Sequence, residues 1–256
     1  MTDQNLKTRM SNGDIMTGTF VKTPSYELVE VFAKSKLDFI ALDAEHVAFD
    51  RGRLDMCLAI ARALKFPTLV RVPSSEPAQI LNALDSGATG VIIPHIDSVE
   101  KAKAVVKSCR FGHGGRGYAG STRWAGFATR PMAEVLEQSK TETIVVLQIE
   151  EPEGVEAIEE IAALEGVDGI FVGPADLAVC YGTTDQNAPV IRNAIETVGK
   201  AAKKHGVTLM TFAPNGNTCD ALHDLGVTMF YIGSDHSFML SSANEVAKTI
   251  GDKLRN

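Results

Sequence analysis

At 256 residues, the chain has the length of one α/β barrel and is short for two full-sized domains. Its 45% hydrophobic and 22% charged residues describe a folded soluble chain. The net charge of -7 argues against a nucleic-acid or anionic-membrane surface, and no apolar run approaches the roughly 20 residues of a membrane span.

Eight short, β-branched runs follow one another along the chain: Thr17–Lys22, Phe39–Asp43, Thr68–Val72, Gly90–Pro94, Ile144–Ile149, Gly169–Val172, Thr208–Phe212 and Met229–Ile232. Most are too apolar to keep one face wet, as expected of parallel strands buried on both sides. Helical spacing is read between them at Glu27–Ala33, Glu76–Leu84, Ser98–Cys109, Pro152–Leu164, Val190–His205 and Ser241–Leu254. Strand–helix alternation repeated eight times predicts a single (β/α)8 barrel (TIM barrel) over residues 1–256, with an open doubly wound sheet as the alternative. Met1–Val21 has no apolar signal core. The cysteines, Cys57, Cys109, Cys180 and Cys219, are scattered without CxxC spacing. The reading is a cytoplasmic protein with reduced, packing thiols.

In such a barrel the chemistry sits at the carboxyl ends of the strands. Those ends carry Lys22, Asp43-Ala44-Glu45-His46, Arg71, His95, Gln148-Ile149-Glu150, Gly173-Pro174-Ala175-Asp176 and Gly233-Ser234-Asp235. Charges on apolar strands are costly unless paired or liganded, so their convergence on one rim predicts a site. Glu150 and Asp176 follow adjacent strands. Two carboxylates with no cysteine or histidine beside them suit a hard cation, Mg2+ or Mn2+, with Co2+ as a further candidate. The amides of Ala175 and Asp176, just after Gly173, are placed to face a substrate anion. Arg71 is read as the cation for a developing oxyanion. His46 is read as the general base, oriented by a carboxylate that Asp85 could supply. His95 is the reserve for that role.

Gly112-His113-Gly114-Gly115-Arg116-Gly117 satisfies GxGxxG but follows a helix, so no nucleotide cofactor is expected. The stretch Phe111–Arg130 is read instead as a mobile loop over the site. Lys22 is the one lysine at a predicted strand end, which favours a metal over a Schiff base.

Four segments in order, Leu42-Asp43-Ala44-Glu45-His46, Arg71-Val72-Pro73, Leu147-Gln148-Ile149-Glu150 and Gly173-Pro174-Ala175-Asp176-Leu177, resemble the class II pyruvate aldolases, the family of 4-hydroxy-2-oxoheptanedioate and 2-dehydro-3-deoxyglucarate aldolases. The resemblance runs from about Gly18 to the last helix. It implies Glu150 and Asp176 as metal ligands, Gln148 near a metal-bound water, His46 as base with Asp85 as its partner, and Arg71 on the pyruvate oxygen. Asp43 and Glu45 would be supporting residues. It also implies a homo-oligomer, commonly a hexamer built as a trimer of dimers, with the last helix swapped between subunits. The chain departs from the family at Phe111–Tyr118, where a Pro-Pro pair is usual, and at Ala44.

The implied reaction is reversible cleavage of a 4-hydroxy-2-oxo acid to pyruvate or hydroxypyruvate and an aldehyde, with oxaloacetate decarboxylation as a side activity. The rival readings are a Mg2+-dependent acyl-CoA lyase of the citramalyl or malyl type, a phosphosugar isomerase using the Gly233-Ser234 turn, and a barrel without catalysis.

Overall fold

Eight apolar runs can all be buried on both faces when their sheet closes and helices cover its outside. The computed structural model, which describes residues 5–254, has this arrangement. Strands β1 (Met16–Val21), β2 (Phe39–Asp43), β3 (Thr68–Arg71), β4 (Gly90–Ile93), β5 (Ile144–Ile149), β6 (Gly169–Val172), β7 (Thr208–Ala213) and β8 (Val227–Ser234) form a closed barrel in sequence order. Every neighbouring pair is parallel, and β8 returns to pair with β1.

Around the barrel lie α1 (Leu6–Ser11), α2 (Tyr26–Phe32), α3 (Arg51–Ala63), α4 (Pro77–Ser86), α5 (Val99–Cys109) and α6 (Met132–Glu142). They are followed by α7 (Pro152–Glu156), α8 (Ile158–Ala162), α9 (Pro174–Cys180), α10 (Pro189–His205), α11 (Cys219–Asp224) and α12 (Asp235–Leu254). The periodicity reading passed over α3, although it carries a start signal: the Asp50 side chain accepts a hydrogen bond from the Arg53 amide at 2.8 Å. It also expected one helix over Pro152–Leu164, which breaks in two at Ala157.

The period-2 alternation of the strands creates two cores. One row, with Phe39 and Ala41, Leu69, Ile92, Ile144 and Val146, Phe171, Met210, Met229 and Tyr231, fills the barrel. The other row, with Ile40 and Leu42, Val70, Val91, Val145 and Leu147, packs under the helices. Gly18 is required inside, because any side chain there would overlap the Phe39 ring. Leu6 and Met10 of α1 join the inner cluster at the end where the strands begin. With that end filled, an opening remains at the carboxyl ends.

The Phe111–Arg130 stretch does not cover that opening. The helices run back antiparallel to the strands, so α4 and α5 end where the strands begin. The loop leaves from the end of α5 and packs against α4: the Trp124 amide donates to the Asp85 carbonyl, and Arg116 binds the Asp85 carboxylate. Trp124, Ala125 and Val135 make a small separate core there.

Candidate active site

The inward row that fills the barrel continues upward in polar residues. On β2, Phe39 and Ala41 lead to Asp43; on β3, Leu69 leads to Arg71; on β5, Ile144 and Val146 lead to Gln148 and then Glu150. The alternation that builds the core therefore aims these side chains into the mouth, where low exposure strengthens every charge interaction.

Asp43 is fully buried, and Arg71 holds it with two hydrogen bonds, Nε to Oδ1 at 3.0 Å and Nη2 to Oδ2 at 2.7 Å. This bidentate geometry orients the guanidinium. The cation also lies 4.6 Å from the centre of the Phe20 ring. Burial alone would raise the Asp43 carboxyl, but the Arg71 hydrogen bonds and charge, with the His46 amide, hold it below its ordinary value. An acid depressed on folding adds stability above its unfolded value, about 3.9, and loses it as pH falls through the lower folded value. The melting temperature should therefore fall on acidification below about pH 4, and Asp43→Asn should flatten that acid limb while lowering the melting temperature at neutral pH. Thermal unfolding of both proteins between acid and neutral pH checks this.

Glu45 adds a second carboxylate beside the guanidinium, with Oε2 3.3 Å from Arg71 Nε and 3.6 Å from His46 Nε2. Burial pushes its carboxyl up and the Glu150 charge adds to the rise, against the pull of Arg71 and His46. Its Oε2 atom is buried and accepts no hydrogen bond.

Glu150 is 2% exposed. Its Oε1 accepts the His95 amide at 2.7 Å, and its Oε2 accepts Gln148 Nε2. Gly173 separates it from Asp176: a Cβ built on that glycine would lie 3.2 Å from Glu150 Oε2 and 3.6 Å from Asp176 Oδ2. Both carboxylates therefore border one space that only glycine leaves open. Gln148 Oε1 is buried and unpartnered beside it. Each Glu150 oxygen accepts one hydrogen bond and keeps a further lone pair, and together with Asp176 and the orphaned Gln148 amide oxygen they form a donor set that suits a divalent cation and its ligands. The expectation that no histidine stands beside these carboxylates is corrected: His95 Nδ1 is 3.2 Å from Glu150 Oε1, and His95 Nε2 is 3.3 Å from Glu45 Oε1.

A cavity of about 290 Å3 opens next to this cluster. Lys22, His46, Arg71, Gln148 and Asp176 bring its polar atoms, and Gly173 and Ala175 line it with them. Phe20, Phe171 and Phe212 provide its apolar wall. The structure thus gathers His46, Arg71, Gln148, Gly173, Ala175 and Asp176 around one volume suited to a small acid.

Asp85 is not gathered there. It sits near the end of α4, at the opposite end of the barrel from His46, and its Oδ1 is 2.5 Å from Arg116 Nη2. Within one chain Asp85 is the counter-ion of the loop arginine, and Glu45 is the carboxylate beside His46. Sequence reading also gave no role to Asp235. It is 1% exposed and accepts the Lys22 and Thr23 amides at 2.7 and 2.9 Å, tying the end of β1 to the start of α12. The Ser234 amide is taken by Ser237 Oγ at 2.8 Å, which removes a donor that a phosphate at this turn would need.

Fold and mouth together define a barrel enzyme with a carboxylate-rich rim and one oriented arginine at a small-acid cavity. Comparison with known proteins agrees: the family model described as HpcH/HpaI aldolase/citrate lyase matches residues 16–242. The chain belongs to this family and is a carbon–carbon lyase. It is 32% identical over 243 residues to 5-keto-4-deoxy-D-glucarate aldolase of Enterobacter sp. (strain 638), covering 94% of each chain. It is 30% identical over 253 residues to hydroxypyruvate/pyruvate aldolase of Paraburkholderia phytofirmans, covering 96% of each. The crystal structure of a HpcH/HpaI aldolase/citrate lyase family protein from Burkholderia cenocepacia J2315 superposes with a TM-score of 0.90 at 30% identity, covering 96% of this chain and 98% of that one.

Proposed function

We propose that the protein is a divalent-metal-dependent aldolase that reversibly cleaves a 4-hydroxy-2-oxo acid into pyruvate or hydroxypyruvate and an aldehyde. The observation that carries this reading is the cavity: the Asp43-oriented guanidinium of Arg71, Gln148, Gly173 and Asp176 line one small volume, and Glu150 lies against it behind Gly173, where an added Cβ would come within 3.2 Å of its Oε2.

Glu150 and Asp176 would hold Mg2+, Mn2+ or Co2+, which supplies Lewis-acid polarisation of the 2-oxo group when bound. Gln148, held by Glu150, keeps its free carbonyl oxygen for a water or the substrate. The amides at Ala175 and Asp176 face the substrate carboxylate. Arg71 stabilises negative charge as it develops on the 2-oxo oxygen. In cleavage, His46 takes the 4-hydroxyl proton, directly or through a water, the C3–C4 bond breaks and the aldehyde departs. The bonding pair moves to C2–C3 as charge passes to the oxygen beside Arg71. His46, steadied by Glu45, returns the proton to C3. Phe20, Phe171 and Phe212 limit water around that carbon. Loss of CO2 from oxaloacetate leaves the same enolate, so decarboxylation is the expected side activity. Lys22 serves as a counter-ion 3.8 Å from Asp43, and no Schiff base is invoked.

Exchange of pyruvate methyl protons in D2O, followed by NMR, tests this. Exchange should require Mg2+ or Mn2+, stop with EDTA, and be lost in His46→Ala. Absence of exchange with Mg2+, Mn2+ and Co2+ would count against pyruvate, and retention on immobilised coenzyme A would then favour the acyl-CoA lyase.

We further propose a homo-oligomer, a hexamer of the trimer-of-dimers type with α12 exchanged between subunits. Along α12 only Asp235 is buried, while Phe238, Met239, Leu240, Val246, Ile250 and Leu254 are exposed, more apolar surface than one helix ordinarily leaves in water. A cytoplasmic setting accords with four unpaired cysteines, two of them buried. No helix among the described residues is long and apolar enough to cross a membrane.

A further inference from the structure

The geometry points to Lys22 as the residue that selects the aldehyde partner: its ammonium is placed to hold an anionic group at the far end of that aldehyde, so that a carboxylate-bearing acceptor is preferred over a neutral one. This inference rests on the aldolase reading above and specifies the acceptor side of the same cavity.

The barrel closes in sequence order, so β1 stands across the mouth from β5, and β2 from β6. Glu150 and Asp176 follow β5 and β6. An acid anchored on that side leaves only the rest of the cavity for the group joined to its C3. The rest of the cavity reaches to Lys22, just after β1, and to Ser234 and Ser237, where β8 passes into α12. Phe20, Phe171 and Phe212 line it with no polar group, which suits an alkyl spacer. At the end of that spacer, Lys22 is the cation still available. Its nearest carboxylate, Asp43, is 3.8 Å away, beyond hydrogen-bond reach. Asp43 already gives both oxygens to Arg71, and its Oδ1 also accepts the His46 amide at 3.3 Å. An ammonium has three donors and no acceptor, so Lys22 keeps unused donor capacity at the cavity. Its backbone is fixed, because Asp235 binds the Lys22 and Thr23 amides. Ser237 Oγ is engaged in its own turn, accepting the Ser234 amide and donating to the Ser234 carbonyl. Ser234 Oγ accepts the Ser237 amide at 3.3 Å and keeps its proton, a second donor on the same side.

The test is addition of pyruvate to matched aldehydes in the presence of Mn2+. One pair is 4-oxobutanoate and butanal, which share a chain length and differ in the terminal carboxylate; the shorter pair is glyoxylate and acetaldehyde. Wild type should favour the anionic member, at one or both lengths, by about tenfold to a hundredfold in kcat/KM, the usual worth of a hydrogen bond to a charged group. Lys22→Met, similar in size and uncharged, should bring the ratio close to one, chiefly by raising KM for the anion. Lys22→Arg should keep part of the preference, and Lys22→Gln supplies a second uncharged side chain if the methionine variant folds poorly. The readout is the anion-to-neutral ratio within each variant. If Lys22 were only a counter-ion of Asp43, its replacement would slow both aldehydes alike and leave that ratio unchanged. A wild-type ratio near one at both lengths, or a preference that survives in the uncharged variants, overturns the assignment, while pyruvate proton exchange in the same wild-type protein keeps the aldolase reading. Absence of metal-dependent exchange in wild type removes both.

Discussion

Arg71→Ala is expected to abolish most enolate chemistry, lowering metal-dependent pyruvate proton exchange by about a hundred- to thousandfold, the usual cost of removing one donor to a developing oxyanion. It should also destabilise the fold. Asp43 is fully buried, and Arg71 provides both of its guanidinium hydrogen bonds. Without that partner an uncompensated charge remains inside the barrel, at a cost of roughly 3–5 kcal/mol. Lys22 Nζ, 3.8 Å from Asp43, is too far away to replace two short hydrogen bonds. Arg71→Lys separates the two effects. It keeps the charge and much of the stability but lacks the planar fork, so exchange should drop more than the melting temperature does. The measurements are exchange rates by NMR, taken well below the melting temperature of each variant, and thermal unfolding by calorimetry. An Arg71→Ala protein that exchanges pyruvate protons at the wild-type rate would remove Arg71 from the chemistry and leave it a structural ion pair.

The paired substitution Glu150→Gln with Asp176→Asn should have the opposite signature, with turnover gone and the apoprotein intact. Glu150 is almost fully buried near Glu45, and its charge raises the Glu45 carboxyl. Neutralising it relieves that repulsion, and glutamine keeps an oxygen for the His95 amide that Glu150 now binds. In EDTA the variant should therefore melt at or above the wild-type temperature. With Mn2+ at 100 times its dissociation constant, wild type should gain about 2.7 kcal/mol, or roughly 5–10 °C for a chain of this size, while the variant gains almost nothing. Scanning fluorimetry with and without Mn2+ reads this directly. Full metal-dependent activity in the double variant would sink the proposed ligand pair.

The barrel was legible in the sequence because its signal is local and repeated. Each of the eight runs from Thr17 to Ile232 falls on an observed strand, with ends displaced by no more than two residues. A strand buried on both faces needs an unbroken apolar run, and eight of them with helices between favour a closed barrel over an open sheet. The same local logic marked Asp43, Arg71, Gln148 and Glu150: a polar residue ending an apolar strand has few stable places other than the mouth of the barrel. The chain order of those strands then brought Glu150 and Asp176 to the same side of it.

Pairings across the fold were another matter. Asp85 was a candidate partner of His46 only as a carboxylate that could reach it and through the family resemblance, and within one chain α4 carries it to the far end, beside Arg116. The glycine-rich stretch from Phe111 to Arg130 reads as a lid until the direction of α5 puts its start at that same end. His95 stood in reserve for the general base. Its left-handed backbone and its position between Glu45 and Glu150 depend on hydrogen bonds to β5, which lies about 50 residues further along the chain. Periodicity and residue type are properties of neighbours in the chain, and they suffice to determine strands, their two faces and the residues that cap them. Which carboxylate meets which cationic side chain depends on the distances between strands and helices that only closure of the barrel establishes, and at this site those distances decide which groups face the cavity and which hold the scaffold.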